Sequence, residues 1–369
     1  MATPTPPRRI LLVDCDMFYV QVARLEDPEG AGREEFLIVG GSPTGRGVVT
    51  SASYACRKFG VRSAMPTGEA LRLCPQAVVV GVDRSAVSRR SREVREVLES
   101  LSPVVQAASV DEFYLDLTGT ERLFRGEALV DTARRIREAV LGSTDISVSI
   151  GGGSNRLVAK MAARPAKPGG VFVVPAGEEA AFLGTLRLEE IPGVGPALLK
   201  TLADKGLRTV AQARDVDVAW LERWLGTGRA RWLQDRLRGD DDSPVVHGEP
   251  RKSISSERTF AKDIRDDGEL RRRLLMLTVH VTATLREQGL QARTLTVKLR
   301  DGDFTTRQRS HTFPEAVESD GVVFPVARDL LDDLRRQRRT GARLLGVGLS
   351  NLEPAHGTSQ LAFFPEAAR

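Results

Sequence analysis

The sequence is poor in the residues that bind zinc or form disulfides. Its 369 residues include three cysteines, Cys15, Cys56 and Cys74, and four histidines. The cysteine count is odd and no two cysteines lie in a CxxC spacing, so neither a structural zinc site nor a disulfide framework is expected. Unpaired thiols are typical of a reducing compartment, which predicts a cytoplasmic protein.

Long hydrophobic segments are also missing. No run of 18 apolar residues occurs, and the first nine residues are rich in proline and threonine rather than apolar like a signal peptide. These absences exclude a membrane-spanning protein and indicate no membrane partner.

The net charge is modest but unevenly distributed. The whole chain carries +5, whereas residues 251–350 alone hold 20 lysines and arginines against 14 acidic residues. The basic excess therefore lies in one C-terminal segment, while the remaining residues sum to −1. A basic segment of this kind favours a polyanionic partner such as nucleic acid.

The pattern of apolar residues predicts an α+β protein of two to four domains. Strand-like and helical segments alternate up to about residue 174, residues 175–243 are helical with glycine breaks, and residues 244–252 are a linker. Residues 253–354 follow the order β-α-β-β-α-β, which is typical of a small sheet backed by two helices. Its strands carry basic residues, including Arg258, Arg307 and Arg309, which predicts a basic sheet face for a nucleic-acid backbone.

Three carboxylates are candidates for a metal site. Asp14 follows the buried run Ile10–Val13, and Asp111 and Glu112 lie between two extended segments. Neighbouring residues of one strand point to opposite faces, so Asp111 and Glu112 converge only if the chain bends between them. Carboxylates brought together from two strand ends would suit Mg²⁺.

Tyr54 and Arg57 are three residues apart and would share one face of a helix. A phenol beside a guanidinium suits the oxygens of a triphosphate, which arginine binds through two parallel hydrogen bonds.

Seven motifs in order make the sequence resemble a Y-family translesion DNA polymerase of the DinB branch, over about residues 9–352. They are Val-Asp14-Cys-Asp16-Met-Phe-Tyr19, Tyr54-Ala-Cys-Arg57-Lys58-Phe-Gly-Val-Arg-Ser-Ala-Met-Pro, Ser109-Val-Asp111-Glu112-Phe-Tyr-Leu-Asp, Ser154-Asn-Arg-Leu-Val-Ala-Lys160, Ile191-Pro-Gly193-Val-Gly195, Leu225-Gly-Thr-Gly-Arg and Arg251-Lys-Ser-Ile-Ser-Ser-Glu-Arg-Thr-Phe260.

The resemblance implies an active site for template-directed phosphoryl transfer. Two Mg²⁺ ions, with Mn²⁺ as an alternative, would be bound by Asp14, Asp111 and the backbone carbonyl of Cys15. Glu112 would be the catalytic carboxylate that completes the metal site. Tyr19 matches the steric gate that excludes a ribose 2′-OH. Three further residues match the binders of the dNTP triphosphate: Tyr54, Arg57 and Lys160.

The resemblance also implies a right-hand polymerase architecture. The palm would comprise residues 1–17 and 81–174, and the fingers residues 18–80. A helical thumb with a helix-hairpin-helix would span residues 175–243, followed by the linker 244–252 and a β-α-β-β-α-β little finger at 253–354. In the hairpin, Gly193 and Gly195 would let backbone N–H groups approach a DNA phosphate.

The implied partners are primer–template DNA, a dNTP and the bacterial sliding clamp, bound by a monomer in the bacterial cytoplasm. The tail 355–369 contains a peptide that resembles a clamp-binding motif: Gln360, Leu361, Phe363 and Phe364. No proofreading exonuclease is expected.

Two residues depart from the family pattern. Phe113 stands where a small alanine is common, and Arg164 where an acid is common. Two alternatives to an active polymerase stay open at this stage: an inert DNA- and clamp-binding scaffold, and a metal-dependent nuclease.

Overall fold

The structure is a computed structural model that describes residues 7–122, 126–248 and 250–355. The chain divides into two compact units, residues 1–249 and residues 250–369. No helix of the described segments is long and apolar enough to cross a membrane.

The first unit has eight strands and eleven helices among its described residues. The strands are β1 (Ile10–Cys15), β2 (Leu37–Gly40), β3 (Val49–Ala52), β4 (Val78–Val80), β5 (Val104–Ala107), β6 (Glu112–Asp116), β7 (Val148–Gly153) and β8 (Val171–Val173). The helices are α1 (Phe18–Glu26), α2 (Tyr54–Lys58), α3 (Thr67–Leu73), α4 (Arg84–Leu101), α5 (Leu129–Thr144), α6 (Arg156–Ala166), α7 (Glu179–Gly184), α8 (Pro196–Ala203), α9 (Val210–Arg214), α10 (Val218–Leu225) and α11 (Thr227–Arg238), with 3₁₀ turns at Ala31–Arg33 and Leu188–Glu190.

Five strands form the central sheet, in the order β5-β6-β1-β7-β8. Side chains of β1 alternate between its two faces, because successive residues of a strand point in opposite directions. Leu11 and Val13 pack with α4 and α5, whereas Ile10 and Leu12 pack with α6. Both faces of this sheet are therefore covered by helices, which explains why β1 is almost continuously apolar.

Helix α6 lies close to β7 because the second half of this strand, residues 151–153, consists of glycines. A Cβ added at Gly151 would collide with the backbone nitrogen of Ala163 and the carbonyl oxygen of Ala159. The glycine run thus brings α6, which carries Lys160, close to the end of β1.

A smaller sheet of order β3-β2-β4 has its own core with α2 and α3. The helices α7–α11 form a third core in the first unit, around Leu198, Leu202, Leu221 and Leu233.

The second unit confirms the predicted order β-α-β-β-α-β. Its elements are β9 (Ser253–Ile264), α12 (Asp267–Glu287), β10 (Leu290–Asp301), β11 (Thr306–Val317), α13 (Asp320–Gln337) and β12 (Ala342–Pro354). The antiparallel sheet has the order β11-β10-β12-β9. Leu295, Val297 and Leu299 of β10 pack with both helices, so one face is covered and the other is open. The α+β multidomain fold class is confirmed.

Candidate active site

The end of β1 brings two predicted carboxylates together. Asp14 lies on the same face of β1 as Ile10 and Leu12, which is the face covered by α6. It pairs directly with Glu112 at the start of β6. Opposed residues of an antiparallel pair project from the same face, with Cβ atoms about 4.5–5.5 Å apart. The sheet register therefore places Asp14 and Glu112 side by side at one edge of the helix-covered face.

Asp111 lies in the turn that precedes β6, so the chain bends where the sequence analysis required it. The Ser109 hydroxyl donates to Asp111 Oδ1 at 2.5 Å and accepts from the backbone N–H groups of Asp111 and Glu112. The Cys15 N–H donates to the carbonyl of Asp111 at 2.9 Å, which ties the turn to the end of β1. The thiol of Cys15 is buried in the core, and its carbonyl as a metal ligand stays a prediction.

Two lysines bind these carboxylates. Lys160 Nζ lies 2.8 and 2.7 Å from the two oxygens of Glu112, and Lys167 Nζ lies 2.7 Å from Asp14 Oδ1. Lys160, predicted to bind a triphosphate, is thus paired with the catalytic carboxylate here. Lys167 was not predicted as a site residue; it is the first residue after α6, where the backbone is already extended.

The electrostatics of the site favour an added cation. The pKa of Asp14 is raised to about 6: burial, and to a smaller extent the charges of Glu112 and Asp111, outweigh the lowering effect of Lys167. Burial lowers the pKa of Lys160, but its bonds to Glu112 more than offset this, so that the pKa lies above its usual value. Acidic groups that repel one another in a partly buried site are stabilised by positive charge.

Within the described ranges no three His, Cys, Asp or Glu side chains are gathered into a ready metal site. The donor set nevertheless fits a hard divalent cation, because Asp14, Asp111 and Glu112 supply oxygen ligands only. Ammonium groups already lie on two of the three, where a metal ion would replace them.

Tyr54 and Arg57 lie on α2, as the spacing predicted. The hydroxyl of Ser53 accepts from the N–H of Cys56 and so caps the start of the helix. The Arg57 guanidinium lies over the Tyr54 ring at 5.0 Å, and its Nε donates to the carbonyl of Ala52. The Tyr54 hydroxyl donates to Asp16 Oδ1 at 2.9 Å; burial, followed by the charge of Asp16, raises the pKa of that phenol.

Tyr19 lies in the first turn of α1. Met17, with φ 37°, makes the left-handed turn from β1 into this helix. The Tyr19 ring meets the Phe18 ring edge-on, with centroids 6.1 Å apart, and borders a small cavity of about 40 Å³ that Val39 and Val82 also line. A positive φ at a bulky residue is uncommon and is found at constrained sites.

A cavity of about 550 Å³ separates the carboxylates from the hairpin of the helical region. Asp14, Glu112, Lys160 and Lys167 line one side, and residues 191–194 line another. Across it, Arg164 forms an ion pair with Glu190 at 3.1 Å. Phe113, the other departure from the family pattern, points away from the cavity into the core.

The two hairpin glycines have different surroundings. Gly193 has φ +91°, and a Cβ there would lie 2.6 Å from Trp232 Cζ2. Gly195 precedes the first residue of α8, and a Cβ there would meet nothing within 4 Å. Gly193 is thus required by packing, whereas the side of Gly195 is open.

The register of the second unit places three of the predicted basic residues away from the open face of the sheet. Arg258 pairs with Leu345, Arg307 with Leu299 and Arg309 with Val297. Their partners belong to the helix-side core, so all three arginines lie on the helix side of the two edge strands. The open face carries Lys298 and Arg300 of β10 beside paired hydroxyls, such as Thr296 with Ser310 at 2.8 Å.

Arg307 is used inside the fold. Its Nη2 lies 3.1 Å from both oxygens of Asp301, which is fully buried, and Nη1 donates to the carbonyl of Leu334. It is therefore not available to a DNA phosphate as predicted. Arg258 and Arg309 are exposed. The predicted clamp-binding residues, Gln360, Leu361, Phe363 and Phe364, lie outside the described residues.

Comparison with known proteins identifies the family. Residues 13–164 match the impB/mucB/samB family, and residues 251–363 match the impB/mucB/samB family C-terminal domain. The chain belongs to this family. A relative from Halorhodospira halophila, named DNA polymerase IV, is 39% identical over 347 residues, which cover 94% of this chain and 96% of the relative. A DNA polymerase IV from Caulobacter vibrioides is 36% identical and covers 97% of this chain and 87% of its own length.

Solved structures of similar fold are also Y-family DNA polymerases. A Y-family DNA polymerase chimera of Dbh and Dpo4 has a TM-score of 0.84 at 26% identity, covering 93% of this chain and 98% of its own. An insertion ternary complex of Dbh DNA polymerase has a TM-score of 0.65 at 25% identity, covering 94% of this chain and all of its own. The predicted resemblance to Y-family DNA polymerases is confirmed.

Proposed function

We propose that this impB/mucB/samB family member is a template-directed, low-fidelity DNA polymerase that acts in translesion synthesis without a proofreading exonuclease. The observation that carries the proposal is the register pair Asp14–Glu112 with Asp111 in the adjoining turn, facing Lys160 of α6 and Lys167 directly after this helix. Oxygen ligands and phosphate-binding cations are thus present in one cavity.

Divalent ions, two Mg²⁺ with Mn²⁺ as an alternative, would be held by Asp14, Asp111, Glu112 and the Cys15 carbonyl, and would activate the primer 3′-OH and stabilise the leaving pyrophosphate. Before that, Lys160 and Lys167 neutralise Glu112 and Asp14. With Glu112 and Asp14 as metal ligands, the ammonium groups of Lys160 and Lys167 would be available to phosphate oxygens. The same lysines thereby serve the empty and the loaded site.

The nucleotide would be held from the α2 side by Tyr54 and Arg57. The ring of Tyr54 and the guanidinium of Arg57 orient one another, so their hydrogen-bonding groups are fixed in advance. Preorganised donors of this kind stabilise the charge that develops on the phosphates. Tyr19 would lie under the sugar and exclude a 2′-OH.

We assign residues 1–17 and 81–174 to the palm, 18–80 to the fingers, 175–243 to the thumb and 253–354 to the little finger, joined by the linker 244–252. The partners are primer–template DNA and a dNTP. The N–H groups at Gly195 and the exposed Arg258 and Arg309 would contact DNA phosphates, which positions the duplex without reading its sequence.

Primer extension with a single dNTP and Mg²⁺ tests the proposal, with Glu112→Ala beside the intact chain. Extension that is lost only in Glu112→Ala supports a polymerase that uses this site. Tight primer–template binding with no extension by the intact chain would favour an inert scaffold. Shortening of the primer would indicate a metal-dependent nuclease, in which Tyr19, Tyr54 and Arg57 would have no role.

The tail is assigned to the bacterial sliding clamp, through Gln360, Leu361, Phe363 and Phe364. A paired-aromatic peptide on a polar tail suits an apolar pocket on a partner. Deletion of residues 358–369 should remove clamp-stimulated synthesis and spare basal synthesis; equal loss of both contradicts a simple tether. We further propose that the polymerase is a cytoplasmic monomer that associates with the nucleoid on DNA.

A further inference from the structure

The proposed mechanism makes no use of Asp16, the residue directly after β1, although four donors bind its carboxylate. Only 2% of its surface is exposed. Its Oδ1 accepts from the Tyr54 hydroxyl at 2.9 Å and the Ser149 hydroxyl at 2.8 Å. Its Oδ2 accepts from the Ser147 hydroxyl at 3.0 Å and the Gly169 N–H at 2.9 Å.

The backbone of Asp16 is fixed as firmly as its side chain. Its N–H donates to the carbonyl of Ser147 at 3.0 Å, and its carbonyl accepts from the side-chain amide of Gln21. Both carboxylate oxygens are occupied by donors and shielded from solvent. Asp16 is therefore a poor candidate for a third metal ligand, unlike its neighbour Asp14.

Two of the four donors determine where phosphate-binding groups lie. The Tyr54 hydroxyl is the polar end of the α2 side chain assigned to the triphosphate. Gly169 follows Lys167 by two residues, so its bond to Asp16 fixes the turn that carries this lysine. The other two donors, Ser147 and Ser149, belong to the neighbouring β7 region and hold the carboxylate from the sheet side.

We propose that Asp16 is a positioning residue that connects the two sides of the triphosphate site, holding Tyr54 of α2 and the Lys167 turn at a fixed separation. The proposal rests on the proposed polymerase function. Asp16 itself touches no phosphate. It acts by removing the freedom of two groups that do, which lowers the entropy lost when the nucleotide binds.

A carboxylate is required because all four neighbours donate. Asparagine has the same shape but only one acceptor oxygen, and its NH₂ group would face two donors. If the amide oxygen stays with Tyr54, the Gly169 N–H loses Asp16 and keeps only Ser149 Oγ, at 2.9 Å; if the oxygen turns to Gly169, the Tyr54 hydroxyl loses its acceptor. The expected consequence is a displaced Tyr54 or Lys167 turn in an otherwise intact sheet.

Equilibrium binding of a fluorescent dNTP, with Mg²⁺, to the full chain on a dideoxy-terminated primer–template measures this without chemistry. We expect Asp16→Asn to weaken dNTP binding about tenfold and to leave primer–template affinity and the Mg²⁺ half-saturation within twofold. Thr132→Val is the matched control. Thr132 lies on helix α5, and the variant removes its buried hydroxyl, which donates to Glu127. It should leave all three unchanged.

Double variants separate positioning from general damage. If Asp16 acts through its two partners, adding Tyr54→Phe or Lys167→Ala to Asp16→Asn should cost less than the same change costs in the wild type. Should Asp16→Asn not fold, Ser147→Ala keeps the carboxylate but frees it on one side, and a weakening of dNTP binding of about threefold is expected.

Three results would overturn the proposal. They are unchanged dNTP affinity in Asp16→Asn or, if that variant does not fold, in Ser147→Ala; fully additive double variants; and a shifted Mg²⁺ half-saturation, which would make Asp16 a metal ligand. Failure of the wild type to extend a primer is a separate outcome. It would remove the proposed function, whereas the binding measurement would still decide whether Asp16 holds the nucleotide site together.

Discussion

The five-stranded sheet of the first unit and the four-stranded sheet of the second differ in how many faces are covered. Helices pack on both faces of the first sheet, with Leu11 and Val13 on one side and Ile10 and Leu12 on the other. The second sheet has helices on one face only, and its open face carries hydroxyls together with Lys298 and Arg300. Reactive side chains of a doubly covered sheet reach a cavity only at the strand ends.

This difference explains where each sheet carries its charge. In the first, Asp14 and Glu112 lie at the edge of an otherwise apolar face, where Lys160 of α6 forms an ion pair with Glu112. In the second, three arginines of the edge strands, Arg258, Arg307 and Arg309, lie on the helix side, and Arg307 forms an ion pair with the buried Asp301. Charge in a strand therefore indicates a binding surface only after the register has shown which face it occupies.

The largest expected effect comes from the strand end of the first sheet. Glu112→Gln keeps the side-chain shape but loses the charge, and primer extension should fall by about 10³-fold because metal binding and charge stabilisation are worth several kcal/mol. Asp116→Asn is the matched control, since Asp116 lies on the same strand and face at the opposite end. Near-normal extension by Glu112→Gln would remove the assignment, as would equal loss in Asp116→Asn.

Two alike residues of the second sheet give the next largest effect. Arg307→Ala leaves the buried Asp301 with only the weaker contact to Arg338 at 3.4 Å, and we expect about 3 kcal/mol lower unfolding free energy in urea. Arg309→Ala should leave stability unchanged and reduce the salt dependence of DNA binding by about one phosphate contact. A reversed outcome would restore the basic face predicted from sequence.

The position of Asp14 at the end of a buried strand could be predicted from the sequence, because the apolar run Ile10–Val13 defines both the strand and its end. The sequence also predicted the β-α-β-β-α-β order from periodicity, whereas the bend at Asp111 was only a condition for Asp111 and Glu112 to converge. It could not predict that Arg307 binds Asp301, because edge strands β9 and β11 have too few buried residues to reveal which side faces the helices. Lys167 was missed because its partner, Asp14, is 153 residues away.

Burial of Asp14 predicts a pH-dependent stability. Its folded pKa, about 6, exceeds the usual 3.8, so the metal-free protein binds the extra proton when folded and loses stability as pH rises through about 6. Asp14→Asn should therefore be more stable than the wild type by about 3 kcal/mol at pH 7.5 in EDTA. The advantage should vanish below about pH 4, where the wild-type carboxyl is protonated in both states. A constant difference across this range in urea titrations would contradict the shift.

The smallest expected effect on stability concerns the two hairpin glycines of the first unit, which are two positions apart in the sequence. Gly193→Ala should lower the unfolding free energy by about 1–2 kcal/mol, because φ is +91° and Trp232 occupies the space of the Cβ. Gly195→Ala meets no atom within 4 Å, so stability should change by less than about 1 kcal/mol. Its methyl group would instead stand between the helix N–H groups and a phosphate, which weakens primer–template binding a few-fold. Unchanged DNA affinity in Gly195→Ala would show that the open side of the hairpin is not where the backbone of the duplex lies.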